Sequence, residues 1–133
     1  METMTTAIVT AAGSGTRMGG AVRKQWLRLG GIPILIHTLE KFFNSSYVDN
    51  IIVTAPEDEL AYCEELIRAY FEDAVKPWLV ISGGIERQDS VFGALQNCPP
   101  DTELVFIHDA VRPFITEELI GELYEIAVKD KAV

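Results

Sequence analysis

Short apolar segments rich in β-branched and aromatic residues recur along the chain and predict β-strands. They occupy residues 7–10, 50–55, 78–81 and 104–107. Each is apolar along most of its length rather than at alternate positions, which is typical of strands covered on both faces of a parallel sheet.

Helical spacing of apolar residues fills the stretches between and after these strands. One helix is predicted to open at Pro33, a second at Pro56, a third to span 86–97, and a fourth to run from an N-cap at Thr116 to residue 129. The positions expected to face the core are Leu60, Cys63, Leu66, Ile67 and Tyr70 in the second helix and Val91, Ala94 and Leu95 in the third. This alternation predicts an α/β fold with a mostly parallel sheet, organised as one domain over 1–133.

Charge is distributed unevenly along the chain. Its 133 residues include 20 acidic and 11 basic ones, a formal net charge of −9, which argues against nucleic-acid binding through bulk charge. Residues 3–39 nevertheless lack Asp and Glu and hold four basic residues, Arg17, Arg23, Lys24 and Arg28. Such a patch favours binding of a small, highly charged anion; the alternative is a chance cluster on a solvated face.

Composition excludes several other classes of protein. No run of about 18 apolar residues predicts a membrane span, and the N-terminus lacks the basic and apolar regions of a secretory signal. Cys63 and Cys98 form no CxxC pair, and we expect a reducing, cytoplasmic location. Zinc-ligand spacing and the G-x-S-x-G elbow of hydrolases are absent from the sequence.

Ligands of parallel α/β sheets bind beyond the carboxyl ends of strands, and the loop after the first strand is rich in small residues. Gly13 and Gly15 allow close approach of backbone N–H groups to phosphate oxygens. Met18 stands where both the dinucleotide fingerprint and the P-loop require glycine, so neither motif is present. The open alternatives are a different phosphate-binding loop and a plain tight turn.

The loops after the third and fourth strands carry the other candidate groups. Arg87 and Ser90 lie three apart at a helix start, where they could meet an anion or a base edge, or simply form a capped helix with a surface arginine. Asp109 follows a buried strand and could reach Mg²⁺, while Arg112 could pair with it or with a phosphate. The alternative is a turn held by an Asp–Arg pair. His108 is expected to cap or hydrogen-bond, and His37 to be structural.

The three loops together resemble the 2-C-methyl-D-erythritol 4-phosphate cytidylyltransferase family. The similar motifs are Ala11-Ala12-Gly13-Ser14-Gly15-Thr16-Arg17-Met18 with Lys24-Gln25, then Gly83-Gly84-x-x-Arg87-x-x-Ser90-Val91, then His108-Asp109-Ala110-x-Arg112-Pro113. Val111 replaces the commoner alanine in the last motif. The resemblance implies a Rossmann-like three-layer sandwich of the nucleotidyltransferase type.

The resemblance also implies a reaction and a set of site residues. CTP would donate a cytidylyl group to 2-C-methyl-D-erythritol 4-phosphate, a polyol phosphate, with release of pyrophosphate and with Mg²⁺ as cofactor. Arg17 and Lys24 would be catalytic, and Asp109 would hold the metal. The residues implied to bind the nucleotide are Ala11, Ala12, Gly13, Ser14, Gly15, Arg17, Lys24, Gly84, Arg87, Ser90, Ala110 and Arg112.

Family members continue beyond position 133, so the resemblance implies a C-terminally truncated, N-terminal portion of a longer enzyme. The later part supplies acceptor-binding groups and the arm through which the full-length family forms homodimers; the oligomeric state of this chain is left open. Two alternative functions also stay open. One is the same transfer to ribitol 5-phosphate, and the other is a CTP-binding fragment without turnover.

Overall fold

A four-stranded parallel sheet lies at the centre of the described residues, 3–12 and 23–130 of a computed structural model. The strands are β1 (Thr5–Thr10), β2 (Arg28–Leu29), β3 (Ile32–Pro33), β4 (Asn50–Ala55), β5 (Trp78–Ser82) and β6 (Leu104–Asp109). The helices are α1 (Ile34–Phe43), α2 (Leu60–Tyr70), α3 (Arg87–Gln96) and α4 (Glu117–Asp130). The sheet order is β5-β4-β1-β6, with every neighbouring pair parallel. The predicted α/β class and parallel sheet are confirmed.

One face of the sheet carries the larger core. Alternate residues of β1, among them Ala7 and Val9, point to this face and are fully buried. Helices α1, α2 and α4 cover it, and each contributes a fully buried side chain: Leu39, Ile67 and Ile120 respectively. Residues of β1 are buried on both faces of the sheet, Ala7 and Val9 in this core and Ile8 in the one opposite, so its sequence is continuously apolar rather than alternating.

The other face is covered by α3, and its core is smaller. Ile8 and Ile52 are neighbours on adjacent strands and pack with Ala94 of the helix. The prediction that Leu95 faces inward is wrong, since its side chain is 44% exposed. Ala94 is fully buried, as predicted, and Ser90, one helical turn earlier, is the other buried residue of α3.

The ends of the predicted helices differ in detail from the sequence pattern. Tyr70 is 43% exposed, contrary to its predicted place in the stripe of α2, because it is the last residue of that helix and the buried stripe ends with Ile67. A 3-10 turn over Glu57–Glu59 replaces the predicted first turn of α2. The N-cap prediction is confirmed, since Thr116 Oγ1 accepts the Leu119 N–H at 3.1 Å.

A small antiparallel hairpin, β2–β3, precedes α1 and was not predicted. Its strands are only two residues long, which is too short for a periodicity signal. His37 contacts the Leu29 carbonyl oxygen at 2.7 Å and so ties α1 to the hairpin, in keeping with a structural role. Among the described helices, none has the length and apolarity needed to cross a membrane.

We expect Leu39→Ala to lower the free energy of unfolding by about 2–5 kcal/mol, because it leaves a cavity in the larger core. Leu95→Ala is the matched control, and it should cost less than about 1 kcal/mol because that side chain is partly solvated. Urea denaturation of both variants measures the difference. Equal losses would contradict the assignment of α3's buried stripe.

Candidate functional site

The carboxyl ends of β1 and β6 lie side by side and open into the candidate site. Thr10 and Asp109 are register partners on these strands. The Ala110 N–H donates to the Thr10 carbonyl oxygen at 3.0 Å, and the Ala11 N–H donates to that of Thr54 at 2.8 Å. The loops after β1 and β6 therefore leave the same edge of the sheet, as the sequence predicted.

A pocket of about 200 Å³ lies at this edge. The described residues that line it are Thr10, Ala11, Lys24, Gln25, Arg87, Ser90, Asp109, Ala110 and Val111. Six of these were predicted as site residues from the sequence: Ala11, Lys24, Arg87, Ser90, Asp109 and Ala110. Gly13, Ser14, Gly15 and Arg17 lie outside the described residues, and their roles stay predictions.

Asp109 is the most densely contacted group of the pocket. Its Oδ1 accepts hydrogen bonds from Arg87 Nε at 3.0 Å and Thr10 Oγ1 at 3.1 Å, and Arg112 Nε lies 3.4 Å from Oδ2. Partial burial acts to raise the pKa of Asp109, but the hydrogen bonds from Arg87 and Thr10 and the charge of Arg87 outweigh it. The pKa of this carboxyl is therefore held below its ordinary value, and Asp109 stays ionised.

Glycines allow the loop after β5 to pack closely against the end of β1. A Cβ atom at Gly83 would lie 2.0 Å from Ala12 Cβ and 2.7 Å from Ser90 Oγ, so a side chain there would force the loops apart. The Gly84 N–H donates to Ser90 Oγ at 3.0 Å. Ala12 and Gly84 take part in loop packing and are not among the described residues that line the pocket; their roles in nucleotide binding stay predictions.

Lys24 lies in a 3-10 turn, Lys24–Trp26, that begins just after the undescribed part of the glycine-rich loop. Its side chain is exposed, whereas Gln25 is only 4% exposed and donates from Nε2 to the Ala11 carbonyl oxygen at 2.6 Å. This hydrogen bond joins the segments that precede and follow residues 13–22, and it brings Lys24 to the pocket wall.

The cationic patch predicted from residues 3–39 is only partly found at the pocket. Arg28 donates to the Gly31 carbonyl oxygen at 2.7 Å, within the hairpin. Arg23 pairs with Asp58 and Glu59 at the start of α2. Arg28 is thus bound to a backbone carbonyl, and Arg23 to acids about 35 residues away in the sequence. Counting charges along the chain cannot reveal such partners.

Sequence reasoning missed Thr10, Gln25 and Val111 as lining residues. Thr10 could have been found, since it ends β1 beside the strand that ends in Asp109.

His108 and Arg112 belong to the loop after β6. His108 contacts the Arg112 carbonyl oxygen at 2.8 Å, and its ring is tilted against that of Phe42, so it helps to fix the shape of this loop. Arg112 is predominantly exposed, and among the described residues its side chain is connected to the site through Asp109.

The donor set of the pocket fits one kind of metal site. No group of three or more His, Cys, Asp or Glu suited to a metal occurs among the described residues, so a metal cage made by protein alone does not fit there. Mg²⁺ commonly takes one or two carboxylates and completes its shell with water and substrate phosphates. The ionised carboxylate of Asp109, beside Lys24 and Arg87, fits that arrangement.

A pocket at the carboxyl ends of parallel strands, where basic side chains surround one carboxylate, is typical of α/β proteins that bind nucleotides. The model of the IspD family, 2-C-methyl-D-erythritol 4-phosphate cytidylyltransferase, matches residues 5–133. The chain belongs to this family.

Relatives with the same family description include proteins from Clostridium beijerinckii and Geobacter metallireducens. The first is 42% identical over 130 residues, covering 97% of this chain and 56% of the relative. The second is 42% identical over 119 residues, covering 86% and 50% respectively. A crystal structure of 4-diphosphocytidyl-2C-methyl-D-erythritol synthase from Anaerococcus prevotii superimposes with a TM-score of 0.76 at 30% identity, covering 92% of this chain and 52% of that one. The chain therefore spans about half the length of these proteins.

We expect Arg87→Met to raise the pKa of Asp109, because it removes a hydrogen bond and a positive charge while burial remains. A carboxyl-carbon NMR titration measures this, with Arg68→Met on α2 as the control. Since the folded-state pKa is depressed, the wild-type contacts stabilise the fold above the unfolded pKa of about 3.9, and that stabilisation is lost as pH falls through the folded value. An unchanged or lower pKa in Arg87→Met would contradict the assignment.

Proposed function

We propose that this chain forms the nucleotide-binding part of an enzyme that transfers a cytidylyl group from CTP to 2-C-methyl-D-erythritol 4-phosphate. The reaction releases pyrophosphate and serves non-mevalonate isoprenoid precursor biosynthesis. The observation that carries the proposal is that Lys24, Arg87 and Asp109, from three separate motifs, meet at one pocket of a chain that belongs to this family.

The reaction requires neutralisation of the phosphate charge and positioning of the two substrates. A phosphate oxygen of the acceptor attacks the α-phosphorus of CTP, the bond to pyrophosphate breaks, and negative charge develops on the equatorial oxygens. A preorganised ammonium group such as that of Lys24 stabilises this charge without needing to rearrange. Arg17 is proposed to act with it, and backbone N–H groups of Gly13, Ser14 and Gly15 to bind the phosphates.

The remaining residues are proposed to hold the metal and the nucleoside. The carboxylate of Asp109 would bind Mg²⁺, which when present neutralises phosphate charge. Arg87 and Arg112 keep that carboxylate oriented, and Ser90 and Ala110 form the adjoining wall. Arg87 and Ser90 are proposed to help shape the nucleoside pocket.

The identity of the acceptor and the activity of this chain on its own both depend on groups outside the nucleotide pocket. The motifs are shared with ribitol-5-phosphate cytidylyltransferases, so ribitol 5-phosphate is the second candidate acceptor. The chain spans 50–56% of the relatives described above, and the resemblance assigns acceptor-binding groups to the other part. We therefore propose that this chain binds CTP with weak or absent turnover; turnover comparable to a full-length relative would contradict that.

Two further properties are part of the proposal. A cytoplasmic location is supported by Cys63 and Cys98, which are both free thiols. Homodimer formation is proposed for full-length members, through the arm that the resemblance places after residue 133.

Calorimetric titration with CTP and Mg²⁺, beside ATP, GTP and UTP, tests the binding proposal. We expect selective binding of CTP, weakened about 10- to 100-fold in Lys24→Ala, because a hydrogen bond to a charged group contributes about 1.5–3 kcal/mol. Lys129→Ala, at the exposed end of α4, is the matched control and should bind as the wild type does. Equal affinity for all four nucleotides, or an unaffected Lys24→Ala, would contradict the proposed site.

A further inference from the structure

The turn that carries Lys24 is attached to the start of α2 by a cluster of polar contacts. Arg23 Nη1 donates to Asp58 Oδ1 at 3.1 Å and also to Glu59 Oε1. The indole Nε1 of Trp26 donates to the same Glu59 oxygen at 2.8 Å. Glu59 therefore contacts residues on both sides of Lys24, and we call these three residues, Arg23, Trp26 and Glu59, the clamp.

Burial makes Glu59 the more important of the two acids. Its side chain is 24% exposed, compared with 66% for Asp58. The side chain of Arg23 is 14% exposed, so the loss of Glu59 would leave a mostly buried cation paired with the exposed Asp58. Trp26 is 5% exposed and also meets the ring of Tyr62 edge-on at 5.1 Å.

Lys24 is exposed, whereas the residues on both sides of it, Arg23, Gln25 and Trp26, are held by hydrogen bonds. The Trp26 and Leu27 N–H groups donate to the Arg23 and Lys24 carbonyl oxygens at 3.0 and 3.1 Å, which closes the turn. Gln25 is bound to the Ala11 carbonyl on the pocket side. The clamp holds the turn from the α2 side, so the two attachments together determine where the Lys24 stem starts.

We propose that Glu59 is a positioning residue, which acts through Arg23 and Trp26 to hold Lys24 at the nucleotide pocket. The role in nucleotide binding rests on the proposed function above. None of the clamp residues lines the pocket among the described residues, and the turn that carries Lys24 is the described segment that joins them to it. Glu59 would thereby affect the position of Lys24 without itself contacting the ligand.

The first experiment compares Glu59→Ala with Glu57→Ala, which removes an exposed acid of the same 3-10 turn. Hydrogen exchange is followed by NMR in the chain without ligand. We expect the Trp26 and Leu27 amides to exchange about tenfold faster or more in Glu59→Ala than in the control, because their turn is no longer held. Unchanged exchange at these amides would overturn the clamp.

The second experiment measures CTP affinity by calorimetry in a double-mutant cycle with Lys24→Ala. We expect Glu59→Ala to weaken CTP binding about tenfold in the wild-type background and less than about twofold once Lys24 is absent. A role confined to general stability would give the same loss in both backgrounds, and this result would overturn the positioning role. Glu59→Gln keeps an oxygen for Trp26 but removes the charge, and it takes the place of Glu59→Ala if that variant does not fold.

The two proposals fail in different ways. CTP binding by the wild type with unchanged affinity in the Glu59→Ala variant would overturn the positioning role of Glu59 alone. Absence of CTP binding by the folded wild-type chain would contradict the proposed function, and with it the clamp's role in nucleotide binding.

Discussion

The carboxylate of Asp109 is the contact on which the site depends. It accepts hydrogen bonds from Thr10 at the end of β1 and from Arg87 at the start of α3, and it pairs with Arg112 in the following loop. These partners come from three different parts of the chain, so their positions relative to one another are fixed through one ionised group. The parallel register that places Thr10 beside Asp109 is set in turn by the fully buried residues of β1, Ala7, Ile8 and Val9.

An acidic protein that binds a triphosphate must keep cations available at one place. All 20 acidic residues lie outside residues 3–39 in the sequence, yet Asp58 and Glu59 fold against that segment and neutralise Arg23. Lys24 is thereby left as the cation of this turn at the pocket wall. Pairing of one basic residue and exposure of its neighbour would give a bound anion one defined partner, which a patch of mobile charges would not provide.

The sequence predicted the strands and helices of this fold well, because the local pattern of apolar residues agrees with the burial of each element in the folded chain. Buried parallel strands are continuous apolar runs, and all four predicted ones are found in the sheet. The buried positions of α3 were predicted less well. They are Ala94, as expected, and Ser90, whereas hydrophobicity had pointed to Leu95, which is exposed. The predicted site loops meet, but the contacts of Arg23 with α2 and of Gln25 with Ala11 could not be predicted, because they join residues that share no periodicity. Phosphate-binding roles for Gly13, Ser14, Gly15 and Arg17 stay predictions.

The most direct measurement is an amide NMR spectrum of the chain recorded with CTP and Mg²⁺. If the loops after β1, β5 and β6 form one nucleotide site, the largest shifts will fall at Ala11, Lys24, Ser90 and Ala110, which line the same pocket. The amino ends of the strands hold a second pocket, lined in part by Phe43, Phe71 and Lys76. Shifts concentrated there, with the first group unmoved, would contradict the assignment of the site.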